Sequence, residues 1–354
     1  MSSSSPPRPR LLLVSMYPLD RGTWGATARI SQMRDALAER VQLDVIAGYR
    51  GTRSLALIRY ALSGRLRGLK GIYVESSSFL PSPLDVVFLA LARTLGIRVL
   101  TYLRDAQPLF AEYYPGGSLK RWLSRALFRP AFGALMAAST WVAFPSAGLA
   151  AAFGRIRDPL LIPPGAPAAV HVAREAGANQ LLFVGGMRYP VHGLDILADA
   201  IERARSAGLP VELTCVSRPG EEPAPPHPAW LHVERGSGAA IRALLPAVIA
   251  SVTPRRRSPY NDLGVPIKVM EYLSYGRPLL VTDCTETARI VRDAGAGFVV
   301  DDTAEALAEG IGRLFGAPAA ELDALSEAAR VAAERNSWHA RARQVLDLLT
   351  PPGG

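Results

Sequence analysis

The stretch Pro259–Asp283, PYNDLGVPIKVMEYLSYGRPLLVTD, joins a Gly- and Pro-punctuated loop to a short helical segment and then to an apolar run. A loop feeding a helix N-terminus offers unpaired backbone N–H groups and the positive end of the helix dipole, a setting suited to phosphate. Glu271, on the first turns of that helix, is a carboxylate placed to grip a sugar hydroxyl. Arg104 and Asp105 directly follow the apolar run RVLTYL, at the end of a strand where open α/β sheets bind ligands. An ion pair or a helix cap accounts for the same two residues. Gly22 and Gly25 in LDRGTWGATARI let backbone approach a ligand closely, although two glycines also serve a plain turn. No Asp-x-Asp with metal-binding character occurs, and Cys215 and Cys284 fit no metal or redox spacing. The expectation is chemistry without a metal.

These residues need a scaffold, and the periodicities supply one. Apolar runs at 10–16, 42–48, 71–76, 98–103 and 140–145 predict strands, with helices between them such as LDVVFLALARTLG at 84–96. That alternation argues a parallel sheet with right-handed crossovers. RDPLLIPPGAPAAV (157–170) predicts a strand running into a Pro-rich connector, and connectors of this composition mark domain boundaries. The pattern then restarts: QLLFVGG at 180–186, a helix from Leu194 to Ala207, strands at 211–216 and 230–234, a helix at 239–249 and the strand ASVTP. A strand at Gly297–Val300 and helices at 303–315 and 319–334 follow, and NSWHARARQVLDLL closes the chain. The predicted organisation is a disordered tail at 1–9, a Rossmann-like domain at 10–165 and a linker at 166–179. A second Rossmann-like domain covers 180–335, and a helix at 336–350 crosses back to the first.

At 354 residues, 49% of them hydrophobic and 20% charged, the chain suits two globular domains. The polar, Pro-rich start lacks the apolar core of a signal peptide, and two cysteines cannot make a disulfide framework. A cytoplasmic protein is expected, either free or peripheral on the inner face of the membrane. The net charge of +9 is uneven: 22 Lys and Arg stand against 10 Asp and Glu through Glu175, and 18 against 21 thereafter. The basic half suits an anionic membrane or a phosphorylated ligand, or else scatters arginines over solvated faces. No nucleic-acid motif accompanies the charge.

The segment Ser118–Arg129 is a basic amphipathic helix. Leu119, Trp122, Leu123, Ala126 and Leu127 share a face, and Lys120, Arg121, Arg125 and Arg129 fill the rest. Such a helix either lies on an anionic membrane or docks its apolar face on its own domain. Pro130 to Gly154 carries no charge, but Ala and Gly dominate it and Pro145 interrupts it, so it is not expected to span a bilayer.

PIKVMEYLSYGRPLLVTD resembles the nucleotide-sugar-binding segment of the GT-B-fold retaining glycosyltransferases of family four, the glycosyl transferases group 1. FVGGMRYPVHGLDILADAI is similar to the first strand–loop–helix of their C-terminal domain, LIPPGAP to their interdomain segment, and NSW…A to their terminal crossover helix. YVESSSFLPSPLD and YLRDAQPLF resemble N-terminal acceptor domains of some members. The resemblance runs from Arg10 nearly to the end of the chain. It implies an α/β fold of two Rossmann-like parallel-sheet domains facing across a cleft, with the acceptor on 10–165 and a nucleotide-sugar donor on 180–335.

By this resemblance Glu271 holds the ribose hydroxyls. The backbone of Gly264, Val265, Pro266 and Ile267 lines the diphosphate, although Pro266 has no N–H to give. Lys268, Gly185, Gly186, Arg188 and His192 belong to the same donor set, with Arg218 and Arg255 flanking the base and Gly22 and Gly25 approaching from the first domain. Asp105 and Arg104 are the catalytic candidates at the acceptor face. Two departures stand out. The family's paired glutamates become Leu263 and Glu271, and Asp262 substitutes only if the loop shifts. The family's Arg and Lys, six residues apart, become Gly186 and His192, with Arg188 between them.

The implied activity is transfer of a sugar, with retention and without metal or other cofactor, from a nucleoside diphosphate sugar to an acceptor hydroxyl. The acceptor is a glycan, a lipid-linked glycan or a small molecule, as in glycan, glycolipid or glycoconjugate biosynthesis. The alternatives are a nonhydrolysing nucleotide-sugar epimerase, which needs paired carboxylates, and a catalytically weak nucleotide-binding scaffold.

Overall fold

The computed structural model describes residues 8–19, 25–110, 117–186, 192–217, 220–222 and 226–351. It divides into two units, one of residues 1–165 with 338–354 and one of residues 166–337.

The first unit holds strands β1 (Arg10–Ser15), β2 (Gln42–Ala47), β3 (Leu69–Glu75), β4 (Arg98–Tyr102), β5 (Trp141–Phe144) and β6 (Leu160–Leu161). All pair in parallel, in the order β2-β1-β3-β4-β5-β6. Central β1 and β3 are covered on both faces and therefore read as continuous apolar runs. The chain steps from β1 to one edge and then, from β2 on, towards the other. Right-handed crossovers put α1 (Ala26–Ala38) on one face and α2 (Arg50–Leu62), α3 (Pro83–Thr94) and α4 (Ser118–Ala137) on the opposite face, with α5 (Ala147–Phe153) following β5. The last helix, α12 (Trp338–Leu349), packs beside α1 and over β3 and β4. Its Trp338, Val345 and Leu349 join Ile30, Met33 and Leu37 in one core.

Local signals explain the boundaries. Ser82 and Asp85 close a capping box at the start of α3, and the Asp85 carboxylate also receives the buried Arg53 of α2 at 2.6 and 2.9 Å. Helix α4 runs through Pro130 to Ala137, eight residues beyond the Ser118–Arg129 segment marked by its amphipathic pattern. Phe128, Phe132 and Leu135 on its inner face are fully buried, which outweighs the hydrogen bond lost at the proline.

The second unit holds β7 (Gln180–Val184), β8 (Glu212–Ser217), β9 (Leu231–Arg235), β10 (Val248–Thr253), β11 (Leu279–Thr282) and β12 (Gly297–Val300), parallel in the order β12-β11-β10-β7-β8-β9. Its helices are α6 (Leu194–Ser206), α7 (Ala239–Leu244), α8 (Ile267–Ser274), α9 (Thr285–Ala294), α10 (Ala304–Gly316) and α11 (Ala319–Arg335). The helix predicted over 239–249 stops at Leu244. Pro246 sits in a 3-10 turn and β10 begins at Val248.

Residues 166–179, expected as a linker, are tied along the second unit. Ala166 N–H donates to Asn336 O, Val170 N–H to Ser274 O and Glu175 N–H to Pro246 O. Arg277, 1% exposed, donates to the carbonyls of Val172, Ala173, Leu245 and Val248. Composition marked a connector, but not the buried arginine that fixes it. Among the described residues no helix is long and apolar enough to cross a membrane.

Candidate active site

Each sheet reverses its winding direction once, between β1 and β3 in the first unit and between β7 and β10 in the second. Such a switch point leaves a crevice at the strands' C-terminal ends. The candidates that the structure describes gather at these two places.

In the second unit, β7 ends at Gly185 and Gly186, and helix α8 lies against it. The tie is Tyr272, fully buried, whose hydroxyl oxygen accepts from Val184 N–H at 2.7 Å. That bond fixes the rotation of α8 and so aims Lys268 and Glu271, which lie one turn and less than one turn nearer its N-terminus. Helical side chains lean towards the N-terminus, and the Lys268 ammonium reaches back over β7, 4.3 Å from the centre of the Phe183 ring. A Cβ on Gly185 would stand 3.7 Å from Nζ, and Gly185 has φ of +144°. Glycine here keeps the backbone bend and leaves the space before the ammonium open.

Lys268 presents its stem partly to solvent, yet its Nζ is buried and has no hydrogen-bond partner. Burial, reinforced by nearby Arg255, lowers its pKa from 10.5 to about 7. Glu271 is pushed the other way by burial, above the ordinary glutamate range, with Lys268 partly offsetting the rise. Helix α8 has no side-chain cap, so the N–H groups of Ile267 and Lys268 have no acceptor within their helix. Buried cation, helix N-terminus and open glycine space converge on the requirements of a multiply charged anion.

The loop after β10 completes this wall. Arg255 turns inward and donates to the side chain of Asn261, which is itself held through its amide to Arg256 O at 2.7 Å. Thr282 of β11 donates to Arg255 O at 2.5 Å. Arg256 and Arg257 pair instead with Asp195 and with Asp262 and Asp283, so the arginine run divides into one inner and two outer members. Asp262, one residue from the family's first glutamate position, receives Arg257 at 3.1 Å and Thr285 N–H at 3.1 Å. Its oxygens are committed to the loop. Opposite, Gly193 (φ +67°) opens α6 so close to β10 that a Cβ would come within 1.6 Å of Pro254 O. His192 packs edge-on against Phe183, ring centres 6.2 Å apart, so one β7 ring touches both His192 and Lys268. Gly264, Val265 and Pro266 lead from the Asn261 turn into α8. Arg188, Arg218 and Gly22 lie outside the described residues.

In the first unit, Arg104 and Asp105 follow β4 beside the switch point. Asp105 accepts from Ser78 Oγ at 2.7 Å and from Gln107 N–H at 3.0 Å, while Arg104 N–H donates to Ser76 Oγ. Tyr17, just past β1, accepts Ser78 N–H at 3.0 Å, and the Arg104 guanidinium stacks 5.2 Å from its ring centre. Nε and Nη1 of Arg104 are buried without partners. Gly25 is the N-cap of α1 with φ of +56°, facing open space.

Sequence reasoning missed Tyr17, Ser78 and the buried ion pair of Arg29 with Glu75 beneath them. Glu75 also accepts from Tyr73 Oη at 2.6 Å. Burial opposes the charge on Arg29, but Glu75, Tyr102 and Tyr73 raise its pKa above the ordinary arginine value. A glutamate ending an otherwise apolar strand, YVE, was the available signal. Among the described residues no three His, Cys, Asp or Glu side chains gather into a metal-ligating group.

Two parallel six-stranded sheets, each wound about one switch point, define the GT-B class of glycosyltransferase folds. Comparison with solved structures agrees along nearly the whole chain. HepE of Anabaena, solved with UDP, aligns at TM-score 0.66 and 14% identity over 96% of this chain and 99% of that one. Sucrose-phosphate synthase of Thermosynechococcus elongatus gives 0.64 and 14% over 96% and 98%. WaaG, a glycosyltransferase of lipopolysaccharide biosynthesis, gives 0.60 and 17% over 98% and 100%. No curated protein matches the chain by sequence. Residues 178–316 match the family described as glycosyl transferases group 1. That match covers most of the second unit, the one that carries β7, α8 and Lys268.

Proposed function

We propose that the protein transfers a glycosyl group from a nucleoside diphosphate sugar to an acceptor hydroxyl with retention of configuration. The observation that carries this is the buried, unpartnered ammonium of Lys268 facing Gly185 at the β7–β10 switch point. A charge left unsatisfied in a folded interior is costly unless a counter-charge arrives, and the donor diphosphate brings one. HepE of Anabaena, solved with UDP and glucose, has the same fold, which supports this choice of ligand.

In this reading the bond from the anomeric carbon to the diphosphate oxygen breaks and its electron pair stays on the diphosphate. Lys268, Arg255 and the N–H groups of Ile267 and Lys268 stabilise the growing negative charge. No divalent ion enters the scheme. The acceptor oxygen bonds to the anomeric carbon on the face the diphosphate leaves, and its proton passes to a departing phosphate oxygen. Glu271 accepts from the ribose hydroxyls. Asp105, through Ser78, and Arg104 orient the acceptor. With Leu263 in place of the first glutamate and Asp262 committed to Arg257, the donor sugar is held by other groups.

The test is release of free nucleoside diphosphate from a panel of nucleotide sugars, with and without membrane extract as acceptor source. Acceptor-dependent release that Glu271→Ala abolishes supports the reading. An epimerised nucleotide sugar formed without acceptor overturns it, as does a chain that binds no nucleotide.

A further inference from the structure

The apolar stripe of α4 does not dock on its own domain. Ser124, Phe128, Phe132 and Leu135 face the sheet and are buried, while Leu119 and Trp122 on the other side are 75% and 65% exposed. Neighbouring helices on the same sheet face repeat this. In α2, Leu57 and Tyr60 are buried and Leu55, Ile58 and Leu62 are exposed, Leu62 at 83%. In α3, Phe88, Leu89 and Ala92 are buried, while Val87, Leu91 and, just past its end, Leu95 are exposed. Helix α2 contacts α3, and α3 contacts α4. Each helix thus has an inner apolar stripe that builds the core and an outer one that no described residue of its unit covers. Single exposed apolar residues are ordinary, but aligned stripes on three adjacent helices form a patch.

The charges around this patch have one sign. Across 50–62, 83–94 and 118–137 the sole acid is Asp85, which is 1% exposed and paired with Arg53. The exposed cations include Arg59, Lys120, Arg121, Arg125 and Arg129. We infer that the α2–α3–α4 face of the first unit docks on an anionic phospholipid bilayer. Trp122 and the leucines enter the headgroup–acyl boundary, and the arginines meet lipid phosphates. A second copy fits poorly, because joining two such faces sets cations against cations, and the three helices bring no exposed carboxylate among their described residues. This inference does not rest on the donor reading.

Flotation of the full-length chain with vesicles decides it, comparing equal parts phosphatidylglycerol and phosphatidylcholine with phosphatidylcholine alone. Binding to the anionic vesicles that weakens with salt is expected. Reversing two α4 charges, Arg121→Glu with Arg125→Glu, weakens it by at least roughly five-fold per cation. Leu62→Glu with Val87→Glu, remote from α4, weakens it at least about ten-fold, and the milder Leu62→Gln with Val87→Gln acts in the same direction. Arg292→Glu on α9 of the second unit changes charge alone and leaves binding intact. Circular dichroism melts show that each variant folds. Absence of binding to anionic vesicles overturns the inference, as does equal loss in Arg292→Glu. Wild-type binding by the α2–α3 variants refutes the three-helix face. A dimer that Leu62→Glu with Val87→Glu dissociates, without vesicle binding, assigns the face to a second copy.

Discussion

Replacing Lys268 by methionine should stabilise the empty protein and cripple its nucleotide affinity. Methionine fills a similar volume over the Phe183 ring and carries no charge. The depression of the Lys268 pKa from 10.5 to about 7 corresponds to a native-state penalty on the order of 5 kcal/mol for holding the protonated form. Methionine does not recover all of it, since the lysine stem already packs and Nζ is only locally dry. A gain of about 2 kcal/mol, or roughly 4–8 °C in melting temperature, is expected near pH 6.5. The sign with pH follows from linkage. Below pH 7 the lysine is protonated both folded and unfolded, so the full penalty is present. Between about pH 7 and 10.5 the native state releases the proton while the unfolded chain keeps it, so wild type gains stability relative to the variant. The gap in melting temperature should therefore close as pH rises through this window.

Affinity moves oppositely. A charge-assisted bond from Lys268 to a diphosphate oxygen contributes about 2 kcal/mol, so the variant binds nucleoside diphosphate some thirty-fold more weakly at pH 7. In wild type the bound anion draws the proton back onto Nζ. Above pH 7 the diphosphate is already fully ionised, since its last proton leaves at about pH 6. The fall in affinity between pH 7 and pH 9 then reports Lys268 and amounts to about fifteen-fold, while Lys268→Met is flat. Isothermal calorimetry in buffers of differing ionisation enthalpy reads both the affinity and the proton uptake. Of the groups facing Nζ, Arg255 stays charged and Cys215, pushed up to about 12, stays neutral. Glu271 is raised by burial, so the titration is repeated in Glu271→Gln. A wild-type affinity that is constant from pH 7 to 9, or a variant no more stable than wild type, would refute the argument.

Glu271→Gln loses the anionic acceptor for ribose and should weaken nucleoside diphosphate binding by about 2–3 kcal/mol, while inorganic diphosphate, which has no ribose, competes as before. Tyr272→Phe strands the Val184 N–H in the interior, at about 1–3 kcal/mol by denaturant melt, and lets α8 rotate, so turnover falls further than stability alone accounts for. Gly193→Ala drives a methyl into Pro254 O and should abolish nucleotide binding by displacing either α6 or the Arg255 loop, as calorimetry will show. In the first unit, Glu75→Gln leaves Arg29 charged and unpaired, destabilising by about 3–5 kcal/mol. The double replacement Arg29→Met with Glu75→Leu should recover most of that in the same melts.

How far the sequence could be read follows from which forces set each element. Strands buried on both faces declare themselves as continuous apolar runs, so β1, β3, β7 and β11 were legible, and with them the parallel alternation. The placement of Glu271 and Lys268 on one short helix was legible because a loop, a helix start and a strand lie contiguous in the chain. The crowding of Lys268 against Gly185 and Phe183, 83 and 85 residues away, was not, because it depends on strand order. The same holds for Asp262. Its position beside Leu263 suggested a substitute for the missing glutamate, and only the loop geometry shows its oxygens committed to Arg257 and to Thr285 N–H. Helix α9 escaped notice because its TETARIVRDA is short and polar, with Val291 and Ala288 as its main apolar anchors. The α4 stripe presented a choice between core and outside. Periodicity alone could not decide it, because this helix has an apolar side in both directions.

The two switch points carry buried charge in opposite ways, and the difference bears on what each is for. Beneath the first lies Arg29, paired with Glu75 and stacked 3.6 Å from the centre of Tyr102, with Tyr73 donating to the same carboxylate oxygen that Arg29 reaches. Its pKa is raised above the ordinary arginine value, so the charge is at home before any ligand arrives. Such a pair fixes the floor under Tyr17, Ser78 and Asp105 and is poor at answering a new charge, because its own is already compensated. Among the described residues, Lys268 at the second switch point faces Glu271, itself pushed towards its neutral form by burial, Cys215, which stays neutral, and Arg255, which repels it. An anion entering there recovers a desolvation penalty the fold has already incurred, so binding strengthens without further ordering of the chain. Arg104 of the first unit also keeps buried nitrogens without partners, but its guanidinium stacks on Tyr17 above that ion pair. In the proposed reading the diphosphate therefore meets Lys268 on the second unit, while the Arg29–Glu75 pair holds the floor beneath the acceptor residues of the first.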